Sequence, residues 1–93
     1  MVNDIQTIRI IVTGKVQGVF FRKHTLLKAQ ELGLEGEVMN QPDGSVCIHA
    51  TGNIAQREAL IAFCHKGPRS AKVEKIQVQI LEPKKYSGFH ILK

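Results

Sequence analysis

The run Gly14-Lys15-Val16-Gln17-Gly18-Val19-Phe20-Phe21-Arg22 brings two glycines, a string of main-chain amides and an arginine into one short segment. A β-branched stretch, Ile8 to Thr13, comes before it, and a segment with helical spacing, Phe21 to Leu32, comes after it. A strand therefore feeds a loop, and the loop feeds a helix with Arg22 in its first turn. At such a junction the free N–H groups of the first turn and the positive end of the helix dipole converge, which favours an anion before any side chain acts. Glycine lets the backbone take positive φ and approach a ligand closely. Arg22 adds a forked, permanently charged donor that matches two phosphate oxygens. The chemistry within reach is oxyanion binding. Gly14 to Gly18 lacks the G-K-[ST] ending of a nucleotide-binding Walker loop, and no G-x-G-x-x-G of a dinucleotide site occurs.

Val16-Gln17-Gly18-Val19-Phe20-Phe21-Arg22 closely resembles the V-Q-G-V-x-F-R signature of acylphosphatases. Gly36-Glu37-Val38-Met39-Asn40 followed by Asp43-Gly44-Ser45-Val46 is similar to the family's G-x-V-x-N…D-G-S-V block, and Gly67-Pro68-Arg69-Ser70-Ala71-Lys72-Val73 to its G-P-x-x-A-x-V stretch. The resemblance runs from about Ile8 to Leu92, in order and at matching separations. The departures are Glu37 and Met39, where the family often has an aromatic and a basic residue, and His24, which often has an aromatic counterpart.

The resemblance implies hydrolysis of the carboxyl–phosphate bond of a small-molecule acyl phosphate, giving a carboxylate and inorganic phosphate. It implies that the backbone amides of Gln17, Gly18, Val19, Phe20, Phe21 and Arg22, with the Arg22 guanidinium, bind the phosphoryl group. Asn40, brought beside Arg22 by the second strand, would position the attacking water. The leaving carboxylate is already a stable anion, so the reaction asks for charge neutralisation and an in-line water more than for a general acid. The carboxamide of Asn40 can accept from a water and donate as well, but it cannot serve as a base. Taken alone, an asparagine ahead of Gln41-Pro42-Asp43-Gly44 reads as the start of a turn. No cofactor and no metal are expected. A non-catalytic phosphate- or anion-binding regulatory module on the same scaffold is the alternative, and it would give Asn40 no necessary purpose.

The other reactive side chains offer less. His24, His49, His65 and His90 are scattered without partners at metal-ligand spacing, and no serine–histidine or paired-carboxylate arrangement stands out. Two cysteines cannot make a disulfide framework. Cys64 belongs with Leu60, Ile61 and Phe63 on a helix, whereas Cys47 is out of phase with Val46, Ile48 and Ala50 and should point away from the helices. Lys15 lies in the loop with its side chain expected in water. A formal net charge of +5 attracts anionic substrates, but the basic residues are spread along the chain as on an ordinary solvated surface. RNA recognition would need exposed aromatics on the central strands, and these strands carry Ile, Val, Thr, Arg, Cys and His, with Tyr86 and Phe89 away from them. No nucleic-acid partner is expected. No apolar run is long enough to span a membrane, and Met1-Val2-Asn3-Asp4-Ile5 lacks the features of a secretory signal, so the expectation is a cytoplasmic monomer without membrane attachment.

The positioning elements follow from periodicity and turn residues. At 93 residues the chain reads as one domain over 1–93. Strands are expected at about Thr7–Thr13, Glu35–Gln41, Ser45–Thr51 and Lys72–Leu81, with a short fifth at Phe89–Leu92. Helices are expected at about Phe21–Leu32 and Ile54–Lys66. The first helix should bury Phe21, Leu26 or Thr25, Ala29 and Leu32, and end at Gly33. Asn53 should cap the second helix, which buries Ala59, Leu60, Phe63 and Cys64. Pro42-Asp43-Gly44 turns a hairpin. Strand four alternates Val73, Ile76, Val78 and Ile80 only if the register slips after Val73. The order β-α-β-β-α-β plus a terminal strand gives an α+β, ferredoxin-like sandwich with both helices on one face of a mainly antiparallel sheet.

Overall fold

Alternating β-branched and polar residues make β1 (Gln6–Lys15) an interior strand of the sheet. In the computed structural model, which describes residues 4–92, it pairs antiparallel with β3 (Val46–Gly52) on one side and β4 (Lys72–Leu81) on the other. Met1, Val2, Asn3 and Lys93, and with them part of the N-terminal reading, lie outside the described residues. β2 (Glu35–Asn40) adds to β3 antiparallel, and β5 (Phe89–Ile91) adds to β2 parallel, giving the order β4-β1-β3-β2-β5. The expected ferredoxin-like α+β fold holds, with one parallel pair at its edge.

Both helices, α1 (Phe21–Leu32) and α2 (Ile54–Lys66), occupy the expected spans and cover one face. Ile8, Ile10, Val12, Val38, Val46, Ile48 and Ala50 from the sheet meet Phe21, Ala29, Leu60 and Cys64 from the helices in a closed core. In α1 the buried position is Thr25 rather than Leu26, because the Thr25 hydroxyl donates to Phe21 O at 2.8 Å and so enters the core satisfied. Asn53 caps α2 through a reciprocal bond pair with Gln56. Gln56 Nε2 also donates to Leu32 O, tying the start of α2 to the end of α1. Cys64 lies fully buried, and burial pushes its thiol up to about 12. Arg57 is buried as well, which the periodicity does not foretell: its Nε donates to Gly52 O and its NH2 to Asp4 O.

The register slip in β4 is real. Thr13 pairs with Lys75 and Gly14 with Val73, so Glu74 is the extra residue of a β-bulge. Gly14 sits at φ 133, and a Cβ there would run into the Lys72 carbonyl. The bulge carries β1 two residues beyond Thr13, to Lys15, where the loop departs. On the helix-free face Arg9, Met39, Cys47 and His49 stand together, so Cys47 does point away from the helices. There Arg9 Nε donates to His49 Nε2 at 3.2 Å, and His49 Nδ1 meets Glu37 at 3.0 Å. Tyr86 is closer to this face than its place in the sequence suggests, within electrostatic reach of Glu37, Cys47 and Arg9. Among the described residues no helix is long and apolar enough to cross a membrane.

Candidate active site

The loop between β1 and α1 is held in a conformation that exposes its amides. Gly18 has φ 73 and Phe20 has φ 60, both left-handed. A Cβ on Gly18 would meet nothing within 4 Å, so glycine is required there by conformation rather than by space. Phe20 is the residue that caps α1, yet no side chain caps the helix and no acid occupies its first turn. His24 N, donating to Phe20 O at 3.0 Å, is the first amide of the helix to reach a carbonyl. The amides from Gly18 to Lys23 find no acceptor among the described residues. Orphan donors, alternating left-handed residues and the dipole of a twelve-residue helix together form an anion nest.

Gln17 has a different part. Its Nε2 donates to Gln41 O at 2.8 Å and to Ser45 O at 2.9 Å, stapling the loop to the β2–β3 hairpin. The hairpin is itself tightened where Ser45 N and Oγ both donate to Asp43 Oδ1, bonds that hold the Asp43 carboxyl below its usual value. Val19 packs against the core, and its carbonyl accepts from Ser70 Oγ at 3.3 Å.

Because the staple joins loop to hairpin, the last residue of β2 comes up beside the start of α1. Arg22 and Asn40 line one cleft of about 370 Å³, together with Val16, Gly18, Phe20, Phe21, Lys23 and Ile91. Gln17 and Val19 are not on its wall. Arg22 is half-buried and makes no hydrogen bond or ion pair with another described residue. Asn40 Oδ1 is buried and accepts no hydrogen bond from another described residue. A buried carboxamide oxygen in that state costs about 1–3 kcal/mol unless something in the cleft donates to it. The left-handed Phe20 adds a strain of about 1–2 kcal/mol. The sequence reading does not include Lys23, Val16 or Ile91 in the site. Ile91 arrives only through the parallel pairing of β5 with β2, a tertiary fact with no local signal. Among the described residues no three His, Cys, Asp or Glu side chains gather as metal ligands would.

A ferredoxin-like α+β sandwich with an uncapped, arginine-bearing helix start and a carboxamide in one cleft is a small α+β protein with a site suited to an oxyanion. The comparisons narrow it further. The acylphosphatase family model matches residues 8–91, and the chain belongs to the acylphosphatase family. An acylphosphatase of Marinobacter nauticus is 50% identical over 72 residues, covering 77% of this chain and 78% of the relative. One from Acaryochloris marina is 40% identical over 93 residues, the full length of both. The solved acylphosphatase of Coxiella burnetii superposes with a TM-score of 0.92 at 35% identity, covering 96% of this chain and 94% of that one.

Proposed function

We propose that this chain hydrolyses the carboxyl–phosphate bond of small-molecule acyl phosphates to a carboxylate and inorganic phosphate, without metal or cofactor. In this reading residues 1–93 act as one acylphosphatase-like domain, a cytoplasmic monomer. Family membership and the names carried by its relatives support the reaction. The observation that carries the mechanism is the pair of unpartnered polar groups in one cleft: the free Arg22 guanidinium and the buried, unaccepting Oδ1 of Asn40.

The phosphoryl group sits in the nest, its equatorial oxygens on the amides of the 17–22 segment and on Arg22. These donors are fixed before substrate arrives, so they stabilise charge spreading over the phosphoryl oxygens without reorganising. Asn40 Oδ1 accepts from a water and aims it at phosphorus opposite the acyl oxygen. The carboxamide takes no proton, so the attacking water loses its proton to a phosphoryl oxygen or to solvent. The acyl oxygen departs as carboxylate and needs no acid.

The test compares wild type, Arg22→Ala and Asn40→Ala on an aryl acyl phosphate with and without a chelator. Removing Arg22 should abolish both turnover and inhibition by inorganic phosphate. Removing Asn40 should lower kcat by about 10²–10³ while phosphate still inhibits. Chelator should change nothing. Undiminished turnover in Asn40→Ala would refute the water-positioning role.

A further inference from the structure

The proposed chemistry leaves part of the cleft wall unassigned. Gly18, Arg22, Asn40 and the Phe20 and Phe21 amides serve the phosphoryl end, whereas the side chains of Val16, Phe20, Phe21, Lys23 and Ile91 have no role in the reaction. Val16 and Phe21 are each 1% exposed and belong to the core, so they form the floor. Phe20 and Ile91 come from separate elements, the loop–helix junction and β5, and both offer carbon surface to the cleft. Phe20 is held against two local preferences. It is the one non-glycine residue at positive φ among the described residues, and its side chain is 75% exposed. Asparagine or glycine would adopt that backbone more readily, and almost any polar residue would suit that exposure better. A bulky aromatic kept at such a position points to a contact made only when the cleft is filled.

We propose that Phe20 and Ile91 form an acyl-group subsite that favours acyl phosphates with a flat, apolar acyl group, an aroyl group above all, over acetyl-sized ones. This rests on the acylphosphatase reading. The acyl carbon is joined to phosphorus through one oxygen. With the phosphoryl group at the start of α1, the acyl substituent therefore lies within reach of the residue immediately before that helix. A phenyl face gives an aromatic acyl group offset or edge contact, and Ile91 adds aliphatic surface in the same cleft. The cleft is in the size range that holds a whole small ligand rather than a lone phosphate. Lys23, an exposed cation on the same wall, makes the opposite demand: it would favour an acyl chain ending in a carboxylate.

The experiment measures kcat/KM for acetyl, benzoyl and succinyl phosphate with wild type, Phe20→Asn and Ile91→Ala. Phe20→Asn keeps a residue that tolerates the left-handed backbone and removes the ring. Ratios between substrates cancel the folded fraction of each preparation, so a poorly folding variant still reports. Wild type should prefer benzoyl phosphate, and Phe20→Asn should lower the benzoyl-to-acetyl ratio about tenfold, with a smaller drop for Ile91→Ala, as expected for loss of one aromatic contact. The inhibition constant for inorganic phosphate, read in parallel, reports the phosphoryl end alone. A succinyl preference, an unchanged ratio in Phe20→Asn, or a parallel fall for all three substrates with weaker phosphate inhibition would each overturn the subsite. Absence of any turnover in wild type would instead fail the acylphosphatase reading beneath it.

Discussion

Single atoms decide what this cleft can do. Asn40 pairs with Val46 at the end of β2 and lines the same cleft as Arg22, and its buried Oδ1 accepts from no described residue. The turn that follows is set by Asp43, whose carboxylate takes two hydrogen bonds from Ser45. Its folded pKa lies below the unfolded value, so its contribution to stability is complete above about pH 4 and is lost as pH falls through the folded pKa. An NMR titration of the Asp43 carboxyl should show an apparent pKa below 3.8 in wild type that rises part of the way toward 3.8 in Ser45→Ala, where only the backbone N–H bond remains; equal values in both would mean that the Oγ bond does not persist in solution. At this scale the sequence is informative about part of the site. The glycine-flanked amides and Arg22 are legible in the order strand, loop, helix, and Asn40 only through its place in a longer motif. The left-handed backbone of Phe20 and the presence of Lys23 and Ile91 are not legible, because each depends on how distant segments meet.

Elements hold these groups in place, and the joint between two of them is narrow. The side chain of Gln17 alone supplies two hydrogen bonds between loop and hairpin. Gln17→Ala removes both bonds, at about 1–3 kcal/mol for the pair, while the Gln41 and Ser45 carbonyls keep their backbone donors Gly44 N and Gln41 N. For a chain of this size the melting temperature should fall by about 5–15 °C, with kcat/KM dropping for every acyl phosphate alike. Thermal denaturation followed by circular dichroism, together with kinetics on two acyl phosphates, tests this. A normal melt with normal kinetics would remove Gln17 from the framework. The helices and strands themselves were readable because hydrophobic spacing, Asn53, Gly33 and the Pro42-Asp43-Gly44 turn all agree. Boundaries differ by one or two residues, and the cause of the slip in β4 is the close approach of Gly14 to the Lys72 carbonyl, a contact between strands that no local pattern encodes. Arg57 reads as a surface residue of an amphipathic helix. It is buried because the carbonyls of Gly52 and Asp4 need a donor where strand gives way to helix.

The molecule as a whole carries a formal charge of +5, with Arg22 and Lys23 on the cleft wall. A doubly charged acyl phosphate should therefore be drawn in from a distance of about one Debye length, and added salt should weaken that pull. Raising ionic strength from about 0.01 M to about 0.15 M should lower kcat/KM several-fold and leave kcat nearly constant. A flat profile in a steady-state assay would show that the field at the cleft mouth is not that of the net charge. The open sheet face, with its Arg9–His49–Glu37 chain and its Cys47 thiol raised by burial, contributes no residue to the cleft. β5 joins β2 through three parallel residue pairs at the edge of the sheet, so Ile91 sits on a short seam, whereas β1 is paired along both sides. Fraying of that edge would take away one wall of the cleft and leave β1, the loop and α1 in place, and amide hydrogen exchange should therefore run faster at Phe89–Ile91 than along β1.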